Sequence, residues 1–196
     1  MHFALQIGRQ ASEGIIKCQS EKRNMLEWLL RAIVFIFPAY VANASPVILG
    51  GGAPIDGGRT LWDGRPVFGK GKTWKGLILG ILAGTVVGAV LAFIVPPALA
   101  FNLPFNDRLV LGFALSAGAL CGDLAGSFTK RRLGYKSGAQ SMLLDQLPFL
   151  AFALLFAAPF HLVSVEEAVF LAVLTIVMHV LTNRAAHVLK LKKVPW

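Results

Sequence analysis

Runs of apolar residues long enough to cross a bilayer constrain this chain more than any other feature. A helix needs about 20 apolar residues to span the hydrocarbon core. Five segments read this way, at about 28–49, 77–95, 109–128, 142–163 and 168–189. Only 15% of the 196 residues are charged, whereas a soluble domain carries about 25%. The mean hydropathy is +0.66. The expected fold is all-α: a polytopic membrane helix bundle with about five transmembrane helices. Residues 1–25 are polar and lack an apolar core of signal-peptide length, so they read as an N-terminal extension at the surface. Residues 26–196 form the integral-membrane domain. Cys18 and Cys121 are too few and too far apart for a disulfide framework or a metal motif.

The net charge is +9, and its distribution sorts the connecting segments. Segment 51–75 carries Arg59, Arg65, Lys70, Lys72 and Lys75, and segment 129–141 carries Lys130, Arg131, Arg132 and Lys136. The C-terminal end carries Arg184, Lys190, Lys192 and Lys193. Segments 97–107 and 164–167 were expected to lie on the other side; the second holds only Glu166 and Glu167 as charges. The positive-inside rule puts the three basic regions in the cytoplasm and the N-terminus outside. Arg9, Lys17, Lys22 and Arg23 oppose that placement, diluted by Glu13, Glu21 and Glu27.

Glycines recur every fourth residue in two spans: Gly76, Gly80, Gly84 and Gly88, then Gly118, Gly122 and Gly126. Residues four apart share a helix face. Small-residue stripes let helix backbones approach closely in lipid. Both stripes read as packing surfaces that hold the second and third spans in a tight bundle. His179 and Asn183 share a face of the fifth span and read as helix-packing partners.

The chemistry lies in the polar residues at the basic end. Asp123 sits inside the third span and Asp145 near the start of the fourth. A charged Asp at a bilayer centre costs about 2.5–3.5 kcal/mol on insertion scales, so such residues face a cavity, a partner or an ion. Asp123 and Ser127 share a helix face, with Lys130 and Arg131 one turn further on. Two carboxylates beside lysines and arginines suit a metal-bound nucleotide: carboxylates hold Mg²⁺ together with substrate phosphates, and cations neutralise the rest. The stretch "GRPVFGKGKTWKG", 64–76, nearly matches a phosphate-binding Walker A loop, but no frame supplies the full pattern and no strand precedes it. Its glycines and Arg65, with Asn43, Ser45, Asp56, Arg59 and Asp63 upstream, suggest a concave path of backbone N–H groups for an anion. A helix starting near Lys72 would put Lys72 and Lys75 on one face of its first turn. An anion transporter and a CDP-alcohol phosphotransferase are the alternatives. The first would place charge at the midplane rather than one face, and "DGGRTLWDGR" lacks the aspartate spacing of the second.

The segment "GDLAGSFTKRRLGYKSGAQSMLLDQLPF", 122–149, resembles the signature of the membrane CTP-dependent cytidylyltransferases that make CDP-activated lipids. Ser127, Lys130, Arg131, Lys136 and Asp145 match its S-x-x-K-R, lysine and terminal aspartate; the ending "LLDQLPF" departs from the longer bacterial and eukaryotic form. "YVANASPVILGGGAPIDGG" and "DGRPVFGKGKTWKG" are similar to the archaeal branch, the CDP-archaeol synthase family. The resemblance covers about 28–190. It implies transfer of CMP from CTP to an isoprenoid ether lipid phosphate, Mg²⁺ as cofactor and a membrane-embedded site facing the cytoplasm. On that reading Asp123 and Asp145 hold the metal, and Lys130, Arg131 and Lys136 bind triphosphate or lipid phosphate. Lys70, Lys72, Thr73 and Lys75 complete the anion cradle with Asp56, while Ser127 and Asn43 orient phosphate or water. No nucleic-acid partner is expected.

Overall fold

The computed structural model describes residues 2–139 and 141–190. Helix α1 runs from His2 to Ala44, and its part long and apolar enough to cross a membrane is residues 21–44. The short helix α2 is Pro46–Leu49. Helix α3 is Trp74–Ile94, α4 is Phe105–Arg132, α5 is Met142–Ala157 and α6 is Val165–Val188. Among the described residues there are two isolated β-bridges and no strand. Among the described residues four helices are long and apolar enough to cross a membrane; α5 is shorter. The protein is thus a multi-pass membrane bundle.

Prolines set two boundaries that composition misplaces. The first apolar run was expected to continue to residue 49. Pro46 has no N–H for Ala42 O and its ring crowds that carbonyl, so the run breaks at Ser45. The fourth span was expected to reach residue 163. Helix α5 instead stops at Ala157, because Pro159 cannot donate backward and the chain turns through Phe160 and His161 onto Ala157 O. Its 16 residues rise only about 24 Å.

The most buried helix is α4, and its sequence explains why. Ala114, Ser116, Ala117, Gly118, Ala119, Gly122 and Gly126 are all buried, so α1, α3 and α5 pack closely around it. The glycine stripe of α3 is buried as expected, while Ile78, Leu82, Val86 and Val90 on the opposite face stay exposed and suit lipid. Gly88 of α3 meets Gly112 of α4, backbone against backbone. The stripe at Gly118, Gly122 and Gly126 faces α5 rather than α3. Proline explains part of this choice. Pro148 leaves Leu144 O without its helical donor, and that carbonyl lies against Gly126. Likewise Ala42 O, freed by Pro46, lies where a methyl on Gly80 would come within 2.8 Å of it. Glycine alone leaves room for these freed carbonyls.

The apolar core, built around Phe35, Ile36, Leu115, Phe149 and Leu171, lies below the basic end. The C-termini of α1, α4 and α6 and the N-termini of α3 and α5 therefore meet at one end, where the polar residues collect.

Candidate active site

The loop 50–73 is the first part of the site, and it is ordered by its own anion. The Asp56 carboxylate accepts from Gly58 N at 3.0 Å, Phe68 N at 3.0 Å and Gly69 N at 2.9 Å. Burial opposes its ionisation. The three N–H donors outweigh that and hold the carboxyl below its ordinary range. The concave set of N–H groups expected to cradle a substrate anion is therefore filled by Asp56, which does not line the cavity described below. Gly69 has φ +99°, a conformation that favours glycine, and a Cβ there would lie 2.9 Å from Ser137 Oγ.

Arginines clamp this loop to the end of α4. Arg65 donates to Arg132 O, one of the last carbonyls of the helix, where a cation also meets the negative end of the helix dipole. Arg132 donates to Asp63 at 2.6 Å and to the carbonyls of Arg65 and Pro66. Arg65, Asp63 and Arg132 thus hold the architecture of the mouth. Thr73 has the same kind of role. It is the N-cap of α3, accepting from Gly76 N at 3.1 Å, and it is buried. The helix begins after Lys72, so Lys72 and Lys75 do not share its first turn. Lys72 turns inward and Lys75 is exposed.

Inside this mouth a cavity of about 540 Å³ opens between α1, α2, α4, α5 and α6. Its walls bring together Asn43, Lys72, Asp123, Ser127, Lys130, Arg131 and Asp145 of the expected residues. The charges are already matched. Lys72 Nζ lies 2.5 Å from Asp123, and Lys130 donates to Asp145 and, at 3.2 Å, to Ala139 O. Asp145 also accepts from Ser141 N at 3.0 Å. Arg131 is 4% exposed and donates to Tyr135 O at 2.7 Å. Lys70, Lys75 and Lys136 are solvent-exposed and do not line the cavity. Lys70 and Lys136 adjoin lining residues Gly71 and Ser137, at the rim.

Among the described residues no group of three or more His, Cys, Asp or Glu side chains converges. Two carboxylates lining one cavity, with cations beside them, fit a hard ion that takes its other ligands from water and phosphate. That is the habit of Mg²⁺, and not of a metal held wholly by protein.

The cavity also has walls that sequence reasoning passed over. Tyr40 and Phe149 stack with centroids 5.9 Å apart at 15°, and Tyr40 Oη lies 2.9 Å from Thr175 Oγ1 of α6. Gln146 and Thr182 line the same space, as do His179 and Asn183, which were expected to pack helices. The available signal was a polar side chain within an apolar run, as in "LLDQLPF". Val47 and Ile48 of α2 and Met178 and Ala186 of α6 make another part of the wall apolar.

The family model described as "CarS-like: CDP-archaeol synthase" matches residues 25–196. The chain belongs to the CDP-archaeol synthase family. It is 50% identical to the CDP-archaeol synthase of Thermococcus onnurineus over 171 residues, covering 87% of this chain and 99% of that one. Identity to the synthase of Methanococcus aeolicus is 46% over 172 residues, covering 86% and 97%. A solved structure described as an intramembrane enzyme for archaeal membrane lipids biosynthesis is 40% identical. It covers 78% of this chain and 92% of that one, with a TM-score of 0.69. This family membership favours neither the anion transporter nor the CDP-alcohol phosphotransferase.

Proposed function

We propose that this family member transfers CMP from CTP to an isoprenoid ether lipid phosphate, unsaturated archaetidic acid, and releases pyrophosphate. The reading rests on one observation: Asp123 and Asp145 line one cavity with Lys72, Lys130 and Arg131. An oxygen of the lipid phosphate attacks the α-phosphorus of CTP; the bond from that phosphorus to the bridging oxygen breaks, and pyrophosphate leaves. The attacking phosphate is already ionised at neutral pH, so no strong base is needed. Positioning and charge stabilisation supply the rate.

Lys130 and Arg131, both nearly buried, face the developing negative charge in a site where water screens little. Lys72 and Lys130 exchange their carboxylate partners for phosphate oxygens when substrate enters. Asn43 and Ser127 orient phosphate or water. The exposed Lys70, Lys75 and Lys136 raise the local concentration of anionic substrate. Asp123 and Asp145 would hold Mg²⁺, which when bound neutralises the triphosphate and polarises the reacting phosphate. The apolar wall of α2 and α6 takes the start of the isoprenoid chains. The basic end faces the cytoplasm, where CTP is available.

The test is formation of CDP-lipid from labelled CTP by the purified protein in Mg²⁺. Asp123→Asn and Asp145→Asn should each lower turnover by about 100-fold or more, the scale of losing one preorganised charge interaction. Turnover near wild type in both would remove these carboxylates from the reaction. Pyrophosphate release with no lipid phosphate present would remove the assigned acceptor.

A further inference from the structure

Trp62 is 86% exposed, the highest value among the exposed large apolar side chains of the described residues. It stands at the tip of a hairpin that hydrogen bonds hold in shape. Gly64 N donates to Leu61 O at 2.9 Å and closes the turn; behind it Leu61 N donates to Arg65 O and Val67 N to Arg59 O. Arg132 then ties Asp63, Arg65 and Pro66 to the end of α4. The chain thus fixes an indole where nothing in the protein covers it, and forgoes the burial that makes large aromatic side chains valuable.

One exposed apolar side chain is ordinary, but a group of them marks a contact surface. Leu133 and Tyr135 follow Arg132 in the chain and are exposed too. The Arg65 guanidinium packs against Gly134, between these two. Lys136, next to Tyr135, is exposed as well. Aromatic and apolar side chains set among cations are the composition of a membrane–water boundary.

The helices give the depth of this patch. Gly88 of α3 and Gly112 of α4 touch and so lie at one level. Towards the basic end, Trp74 is 14 residues from Gly88, about 21 Å, and Arg132 is 20 residues from Gly112, about 30 Å. Arg132 therefore stands about 9 Å beyond Trp74. Helix α3, with 21 residues and a length of about 31 Å, matches the hydrocarbon core of about 30 Å. Trp74, its exposed first residue, marks the edge of that core. Headgroups occupy about the next 5–8 Å. The hairpin crosses this layer: Phe68 packs on Phe128, one turn below Arg132, and Asp63 bonds Arg132 itself.

We propose that Trp62, Leu133 and Tyr135 form a surface that seats hairpin 59–67 in the headgroup layer of the surrounding bilayer. The indole and phenol rings place an apolar body against lipid and a polar tip toward water, and Lys136 meets headgroup phosphates. The seat keeps the clamped loop, and the cavity mouth with it, level with the headgroups of the lipids around it.

The test uses the full chain with Trp62 as its sole tryptophan, made by Trp28→Phe, Trp74→Phe and Trp196→Phe, in vesicles of phosphatidylcholine and phosphatidylglycerol. Its emission should shift to shorter wavelength than that of free tryptophan in water. Lipid carrying a nitroxide on its headgroup should quench it, and acrylamide in the water should quench it only weakly. Emission at the free-tryptophan position with strong acrylamide quenching overturns the proposal. So does an indole shielded from both quenchers, which would mean that a second copy of the chain covers the patch. Should the triple variant fail to accumulate, Trp62→Cys with Cys18 and Cys121 replaced carries an environment-sensitive fluorophore at the same position. Quenching of that label by the headgroup nitroxide supports the seat, and its absence overturns it.

Discussion

At the scale of single residues, the site separates groups that hold the loop from groups that face the cavity. Asp56 belongs to the first kind. Its carboxylate is fixed by three backbone N–H groups, and its folded-state pKa is lowered. The stabilisation is therefore complete above the unfolded carboxylate pKa of about 4 and fades as pH falls through the lower folded value. Asp56→Asn should lower the melting temperature at pH 7, by the equivalent of about 1.5–3 kcal/mol for charge-assisted hydrogen bonds. The deficit should shrink as the pH is taken below 4, which melting curves of both proteins across pH would show. A deficit that stays constant with pH would mean the carboxylate charge is not what organises the loop. Asp123, Lys130, Arg131 and Asp145 were legible in the sequence because charge inside an apolar run needs a reason. The internal partners of Asp56 were not legible, for an equally physical cause. Glycine spacing announces a nest of N–H groups, but it does not say whose anion fills it. The capping role of Thr73 was not legible because the helix begins two residues later than expected. Gln146 was missed because a neutral amide carries no charge to draw attention, and its place on the cavity exists only in three dimensions.

At the scale of helices, the period of four in α3 and α4 correctly announced close packing but not the partner. The sequence contains no record that Pro148 frees a carbonyl toward Gly126, or that Gly88 meets Gly112. Those pairings depend on where α5 and α4 come to lie. Gly84 gives the sharpest test. A side chain there would meet Pro38 O and Ser116 Oγ, and both neighbours are buried in helices that cannot retreat. Gly84→Val should destabilise the bundle by about 1–3 kcal/mol or more, as overpacking does, measured by thermal inactivation in detergent. Ile78→Val, on the exposed face of the same helix, should be nearly silent. Equal sensitivity at both positions would mean that α3 does not pack by its glycine face. The shortness of α5 has a counterpart at this scale. It begins at the cavity and ends below a typical bilayer width, so its two ends cannot both reach the bilayer surfaces without local thinning of the bilayer.

At the scale of the whole molecule, fold class and the grouping of basic segments followed from the sequence, because hydropathy and charge are additive along a chain. The cavity did not, because it is enclosed by five helices whose meeting is a tertiary fact. Orientation can be measured directly. Arg59 is exposed in the loop at the basic end, so Arg59→Cys, with Cys18 and Cys121 replaced, gives a reporter there. A membrane-impermeant maleimide should label it in inside-out vesicles and leave it unlabelled in right-side-out ones. The opposite pattern would place the basic end, and the cavity with it, outside the cell.

The clamp between Arg65, Asp63 and Arg132 has a consequence for how the protein is made. Residues 54–73 can form their nest around Asp56 as soon as they leave the ribosome, since every donor to that carboxylate lies within 13 positions of it. Docking must wait until Arg132 has been synthesised, 67 positions after Arg65. Lys72 likewise waits 51 positions for Asp123. An unfinished chain therefore carries a preformed basic loop but no complete cavity until α6 has been made.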